Sequence, residues 1–114
     1  MTANQTPEGH AKKRKNRYRQ LSSLQTRIKV KFSNQSLLNR ALVHRSYINE
    51  AGNSQRDNER LEYLGDSVLA LVVNEYLFKH FEEYVEGDLA KIKSAVVSEG
   101  TLAKVADEIN LGSY

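Results

Sequence analysis

Between Asn58 and Phe78 the chain reads NERLEYLGDSVLALVVNEYLF, and no other stretch constrains the fold as strongly. At about 100° per residue, Leu61, Leu64, Val68, Leu71 and Val72 form one broad apolar face of a helix. Beyond the first two turns Ala70, Val73 and Leu77 make the opposite side apolar as well. A helix that is apolar nearly all round has to be covered nearly all round. A chain of 114 residues forms one domain with a single modest core and has few other elements to offer. Part of this helix is therefore expected to meet another subunit.

The rest of the chain from Leu21 onward also reads as helical, which gives an all-α fold of five helices. The first is expected over about Ser23 to Phe32, with a strand still possible in the alternating RIKVKF at its end. The second follows the cap-like SNQS, carries Leu37, Leu38, Ala41 and Leu42 on one face, and ends at VHRSY. Residues 49–58 read as a loop from their Gly, Asn and Ser content. Asp57 or Asn58 caps the long third helix, which runs to about Phe81. Gly87 is expected to break the pattern, with Asp88 capping a fourth helix through Val97. Ser98 caps a fifth, from Glu99 to about Asn110, and Gly112 stands near its stop.

Charge divides the chain. Residues 1–19 hold Lys12, Lys13, Arg14, Lys15, Arg17 and Arg19 against Glu8 alone, although the whole sequence carries only +3. The remainder is mildly acidic. Polar composition, the only proline and the lack of any period make residues 1–20 read as a disordered basic tail. Such a tail either attracts nucleic acid phosphates without sequence preference or serves as a solubilising extension. With no cysteine, disulfides and thiolate zinc sites are excluded. No apolar run approaches the roughly 20 residues that span a bilayer, so no membrane partner is expected and the cytoplasm is the default location.

The head of the third helix poses a chemical question. Glu59, Glu62 and Asp66 fall at i, i+3 and i+7 and project together, and like charges at these spacings repel. Two readings offset the repulsion. In one, Arg60 and nearby lysines form ordinary salt bridges while the acids favour the positive end of the helix dipole. In the other, a hard divalent cation takes carboxylate oxygens a helical turn apart, with water and phosphate oxygens completing its shell. Gly65 lies beside them, where glycine costs about 1 kcal/mol relative to alanine, and close backbone packing or ligand approach would compensate.

The string as a whole is more specific than its parts. NERLEYLGDSVL, Asn58 to Leu69, closely resembles the signature of the ribonuclease III family, endonucleases that cut double-stranded RNA. LLNRALVHRSY (Leu37 to Tyr47), EGDLAKIKSAVVS (Glu86 to Ser98) and TLAKVADEINLGSY (Thr101 to Tyr114) agree in order and spacing. The resemblance implies a helical endonuclease domain over residues 21–114 that works as a symmetric homodimer, with the signature helices near the interface. It further implies Mg²⁺-dependent hydrolysis of phosphodiesters in ribosomal and other structured RNA, with Mn²⁺ as a substitute, each subunit cutting one strand.

By position, Glu62 matches a metal-ligating carboxylate of that signature, and Asp66 matches an acid that helps bind the metal or holds the attacking water. Glu59 matches the first acid of the signature, in a supporting or interface role, and Glu86 matches an acid beside the catalytic valley. Lys91 and Lys93 fall where the family often has basic residues, which would meet RNA phosphates or remain solvating. His44, in the second motif, reads as fixing the loop after the second helix rather than as a general base.

The family's remaining carboxylate pair lies in a D-x-x-E-A-x-x-G-A motif downstream of LGSY, and a double-stranded RNA-binding domain usually follows. Neither occurs in this sequence. The resemblance therefore implies the N-terminal part of a longer protein, with little or no activity in these 114 residues alone. A non-catalytic relative that binds RNA or scaffolds a ribonucleoprotein is the alternative, as is a fragment that dimerises with an intact enzyme and blocks it.

Overall fold

The computed structural model describes residues 6–46 and 57–114 and is helical, with no strand among the described residues. The helices of the described residues are α1 (Pro7–Ile28), α2 (Gln35–Ala41), α3 (Glu59–His80), α4 (Glu86–Val96) and α5 (Glu99–Glu108), followed by a 3-10 turn at Leu111–Ser113. The loop expected over 49–58 lies outside the described residues except for Asp57 and Asn58.

The largest correction concerns the N-terminus. Residues 7–20, expected to be disordered, form the larger, N-terminal part of α1. Thr6 caps the helix by accepting from Gly9 N at 3.1 Å, Pro7 occupies the first helical position, and Glu8 complements the dipole in the first turn. Charge concealed a helix whose start signal is conventional. α1 also stops earlier than expected, at Ile28, because Lys29 turns into the left-handed region at φ 59° and its N–H reaches back to Gln25 O and Thr26 O. Of RIKVKF, Arg27 and Ile28 therefore end the helix, and residues 29–32 form neither helix nor strand.

Two further boundaries move. Gly87 does not break α4 but lies in its first turn, since Asp88 N and Leu89 N both donate to Val85 O and close that turn before Asp88 can cap it. At the other end α5 finishes at Glu108, where Asn110 rather than Gly112 takes the left-handed conformation, at φ 53°. Caps at Asn34 and Ser98 stand where expected, accepting from Leu37 N and Thr101 N respectively.

Leu21, Leu24 and Leu38 form the buried core between α1 and α2, with Ile28, Phe32, Leu42, Leu111 and Tyr114 packed against them. Gln25 is buried beside it without an orphaned polar atom: its side-chain oxygen accepts from Phe32 N at 2.7 Å, and its amide donates to Leu21 O at 3.0 Å. The chain end returns to this core, where Arg17 donates to Tyr114 O and the Tyr114 and Ser23 hydroxyls lie 3.2 Å apart.

α3 packs against α4, α4 against α5, and α5 runs into the 3-10 turn. Of all the residues of α3 only Leu77 is buried. Leu64, Val68, Leu71 and Val72 are 61%, 55%, 67% and 61% exposed, so the apolar face that the sequence requires to be covered is open in one chain. The radius of gyration is 18.4 Å, against about 13 Å for a compact chain of this length. With extents of 65 × 29 × 23 Å the protomer is elongated rather than compact.

Candidate functional site

Three backbone-directed hydrogen bonds fix the head of α3 to the end of α2. Asn58 N donates to Val43 O at 2.9 Å, the Asn58 side-chain amide donates to Ala41 O at 2.8 Å, and Arg40 Nε donates to Asp57 O at 3.1 Å. Val43 itself is buried beneath this junction. Asn58 occupies the cap position but spends its side chain on α2, and Asp57 Oδ1 accepts from Glu59 N instead. The helix that presents the acids is thus anchored at the end where they begin.

Glu59 separates from the other two acids. Its carboxylate accepts from Arg45 at 3.2 Å, across from α2, in an exposed ion pair. That is the salt-bridge arrangement expected for the acidic triplet, but with Arg45 in place of Arg60 or a lysine. Nothing in the sequence singled out Arg45 for this contact, because the pair is separated by 14 positions.

Glu62 and Asp66 are exposed and have no hydrogen-bond or ion-pair partner among the described residues. Lying four positions apart on α3, they project from one face about 6 Å apart along the helix axis. Two unpartnered carboxylates open to water suit a hard divalent cation, which takes one or two such ligands and fills its other positions with water and phosphate oxygens. No group of three or more acidic or imidazole side chains is close enough to hold a metal among the described residues.

The other candidates do not join this pair into a closed site. Glu86 is exposed at the first position of α4, where it complements the helix dipole. Lys91 is exposed and Lys93 half-buried further along α4, without ion-pair partners among the described residues. A Cβ placed on Gly65 would meet nothing within 4 Å, so close packing within the protomer does not account for this glycine. His44 has its expected structural task, as its Nδ1 accepts from Ser46 N at 3.1 Å and lies 2.6 Å from the Ser46 hydroxyl.

Comparison with known proteins matches this geometry to a family. The model of the family described as Ribonuclease-III-like matches residues 34–114, which contain α2 through the 3-10 turn. Among curated proteins, ribonuclease 3 of Borreliella burgdorferi is 50% identical over 95 residues, covering 83% of this chain and 39% of that protein. Ribonuclease 3 of Treponema denticola is 48% identical over 98 residues, covering 86% and 40%. The chain therefore spans about two fifths of the length of these relatives. Among solved structures, the nuclease domain of ribonuclease III from Campylobacter jejuni, described for flexibility in a region involved in dimer formation, superposes with a TM-score of 0.75. Identity there is 42%, over 82% of this chain and 62% of that one. No helix among the described residues is long and apolar enough to cross a membrane. With the signature acids on one exposed face of α3 and most of the chain matched, this protein belongs to the ribonuclease-III-like family.

Proposed function

We propose that the chain carries part of the catalytic apparatus of an endoribonuclease that hydrolyses phosphodiester bonds of double-stranded RNA, with structured precursors such as ribosomal RNA as substrates. The observation that carries the reading is the pair Glu62 and Asp66, whose carboxylates are exposed and without partners among the described residues, on α3 within the region matched to the family. Repelling acids left without cations are unfavourable for a scaffold and useful to a metal-dependent hydrolase, which is what disfavours the non-catalytic alternative.

Mg²⁺, or Mn²⁺ in its place, supplies phosphate-charge neutralisation and an activated water in such chemistry. Glu62 is the ligand to it. Asp66 shares that task or orients the attacking water through its carboxylate. Glu59, neutralised by Arg45, sets the bearing of the first turn of α3 against α2 and keeps a third repelling charge off the Glu62–Asp66 face. Glu86 borders the site, and Lys91 and Lys93 meet RNA phosphates as point charges. A second copy of the chain covers Leu64, Val68, Leu71 and Val72, which brings two sites to one duplex, and the setting is the cytoplasm.

The test is duplex-RNA binding with Mg²⁺ against EDTA, compared with DNA duplex of the same sequence. A gain in retention on adding Mg²⁺, selective for RNA and lost in Glu62→Gln/Asp66→Asn, is the expected result. Binding indifferent to Mg²⁺ and to both substitutions contradicts the reading. Cleavage by the 114 residues alone is expected to stay near background because they supply two of the acids that the chemistry needs. Robust cleavage abolished by Asp66→Asn would overturn that expectation and strengthen the assignment of Asp66.

A further inference from the structure

α1 carries a single seam along its length. His10, Arg14, Arg17, Leu21, Leu24 and Ile28 recur at alternating steps of four and three, the spacing that keeps residues on one side of a helix. Leu21 and Leu24 are in the core and Ile28 packs against it, whereas the N-terminal half of the same seam is basic. Off the seam, Lys12, Lys13, Lys15 and Arg19 carry the charge around the helix, so that the four consecutive cations Lys12 to Lys15 sweep about 300° of its surface. The region matched to the family begins at residue 34, and this half-helix lies outside it.

Arg17 is already engaged, donating to Asn39 Oδ1 at 2.6 Å and to Tyr114 O, and it anchors the helix to α2 and the chain end. Lys12, Lys13, Arg14, Lys15 and Arg19 make no hydrogen bond or ion pair among the described residues, and Glu8 is the only acid between residues 6 and 20. The neighbours Lys12–Lys15, Arg14–Arg17, Lys13–Arg17 and Lys15–Arg19 are like-charge pairs at helical spacing, which repel. An anionic partner offsets that repulsion by its attraction to each cation.

We propose that residues 12–19 of α1 form an accessory phosphate-binding surface that holds the backbone of duplex RNA, adding affinity but no chemistry; this rests on the function proposed above. The segment spans about 11 Å, long enough to face several phosphates on a duplex that carries a charge about every 1.7 Å of its axis. A lipid surface fits less well. A helix that lies in a membrane interface needs an apolar face, and Tyr18 is the only large apolar side chain between residues 8 and 19.

The experiment measures binding of the chain to an RNA duplex of about 20 base pairs by fluorescence anisotropy in EDTA, over about 50 to 300 mM KCl. The unmodified chain is compared with K12Q/K13Q/R14Q/K15Q. Glutamine is as good a helix former as lysine, and far-UV circular dichroism confirms that α1 is kept. For the quadruple variant the slope of log K against log salt should fall in magnitude by roughly 1 to 2, since only the cations turned toward the duplex meet phosphates, with affinity at least about tenfold lower at the lowest salt. Amide exchange in residues 7–20 of the unmodified chain should slow when duplex is added.

An unchanged slope and affinity in the quadruple variant, with duplex still bound, overturns this proposal and leaves the proposed function standing. No binding of duplex by the unmodified chain in EDTA even at low salt overturns this proposal alone, and no binding after Mg²⁺ is restored overturns both. Tighter binding to phosphatidylserine vesicles than to duplex assigns the surface to a membrane and likewise overturns the proposal.

Discussion

At the scale of single residues, polar groups are satisfied where they are buried and left unpaired where chemistry is proposed. Gln25 illustrates the first case, since its carbonyl is the acceptor for Phe32 N and so holds the turn that follows α1. Gln25→Leu should lower stability by about 1–3 kcal/mol, read as a shift of the urea midpoint, because the buried N–H loses its acceptor. Glu62 and Asp66 illustrate the second case, with no partner among the described residues. Gly65 between them has open space where a side chain would stand. Gly65→Ala should therefore raise the stability of the chain by up to about 1 kcal/mol through helix propensity alone. Lower metal or duplex affinity in that more stable variant would place the close approach with a ligand or partner; lower thermal stability would contradict the open space at Gly65.

Among the elements, α3 was legible and α1 was not, for opposite physical reasons. The apolar period of Leu61, Leu64, Val68 and Leu71 announces a helix, and the boundary at Asn58 follows from the polar run before it. In α1 the seam continues through His10, Arg14 and Arg17, where a search for apolar period finds nothing, and the cue that remains is Thr6-Pro7-Glu8 at the cap, first and second helical positions. The acids of the site could be read from their spacing along one helix. The partner that separates Glu59 from them could not, because Arg45 reaches it across a junction built by Asn58, Arg40 and Val43. The uncovered face of α3 gives the prediction proper to this scale. Leu71→Glu, at a position 67% exposed, should leave the helix content unchanged while abolishing self-association in sedimentation velocity. A dimer of undiminished affinity would remove this face from the interface.

The whole molecule is an elongated protomer with one small core between α1 and α2, and a long helix that is anchored at its head and open along its flank. Sequence reading gave the order and class of these elements but not this shape, because compactness depends on what covers α3 and no local pattern encodes that. The same arrangement explains why the acids are accessible: the α2–α3 junction fixes where they start, and none of the described residues closes over them. The central claim is that Glu62 and Asp66 together hold a divalent cation, and titration of the isotope-labelled chain with Mn²⁺, followed by paramagnetic broadening of backbone amide resonances, tests it most directly. Broadening should begin around Glu62 and Asp66 on α3 and disappear in Glu62→Gln/Asp66→Asn. Broadening centred elsewhere, or the same pattern in that variant, would contradict the account.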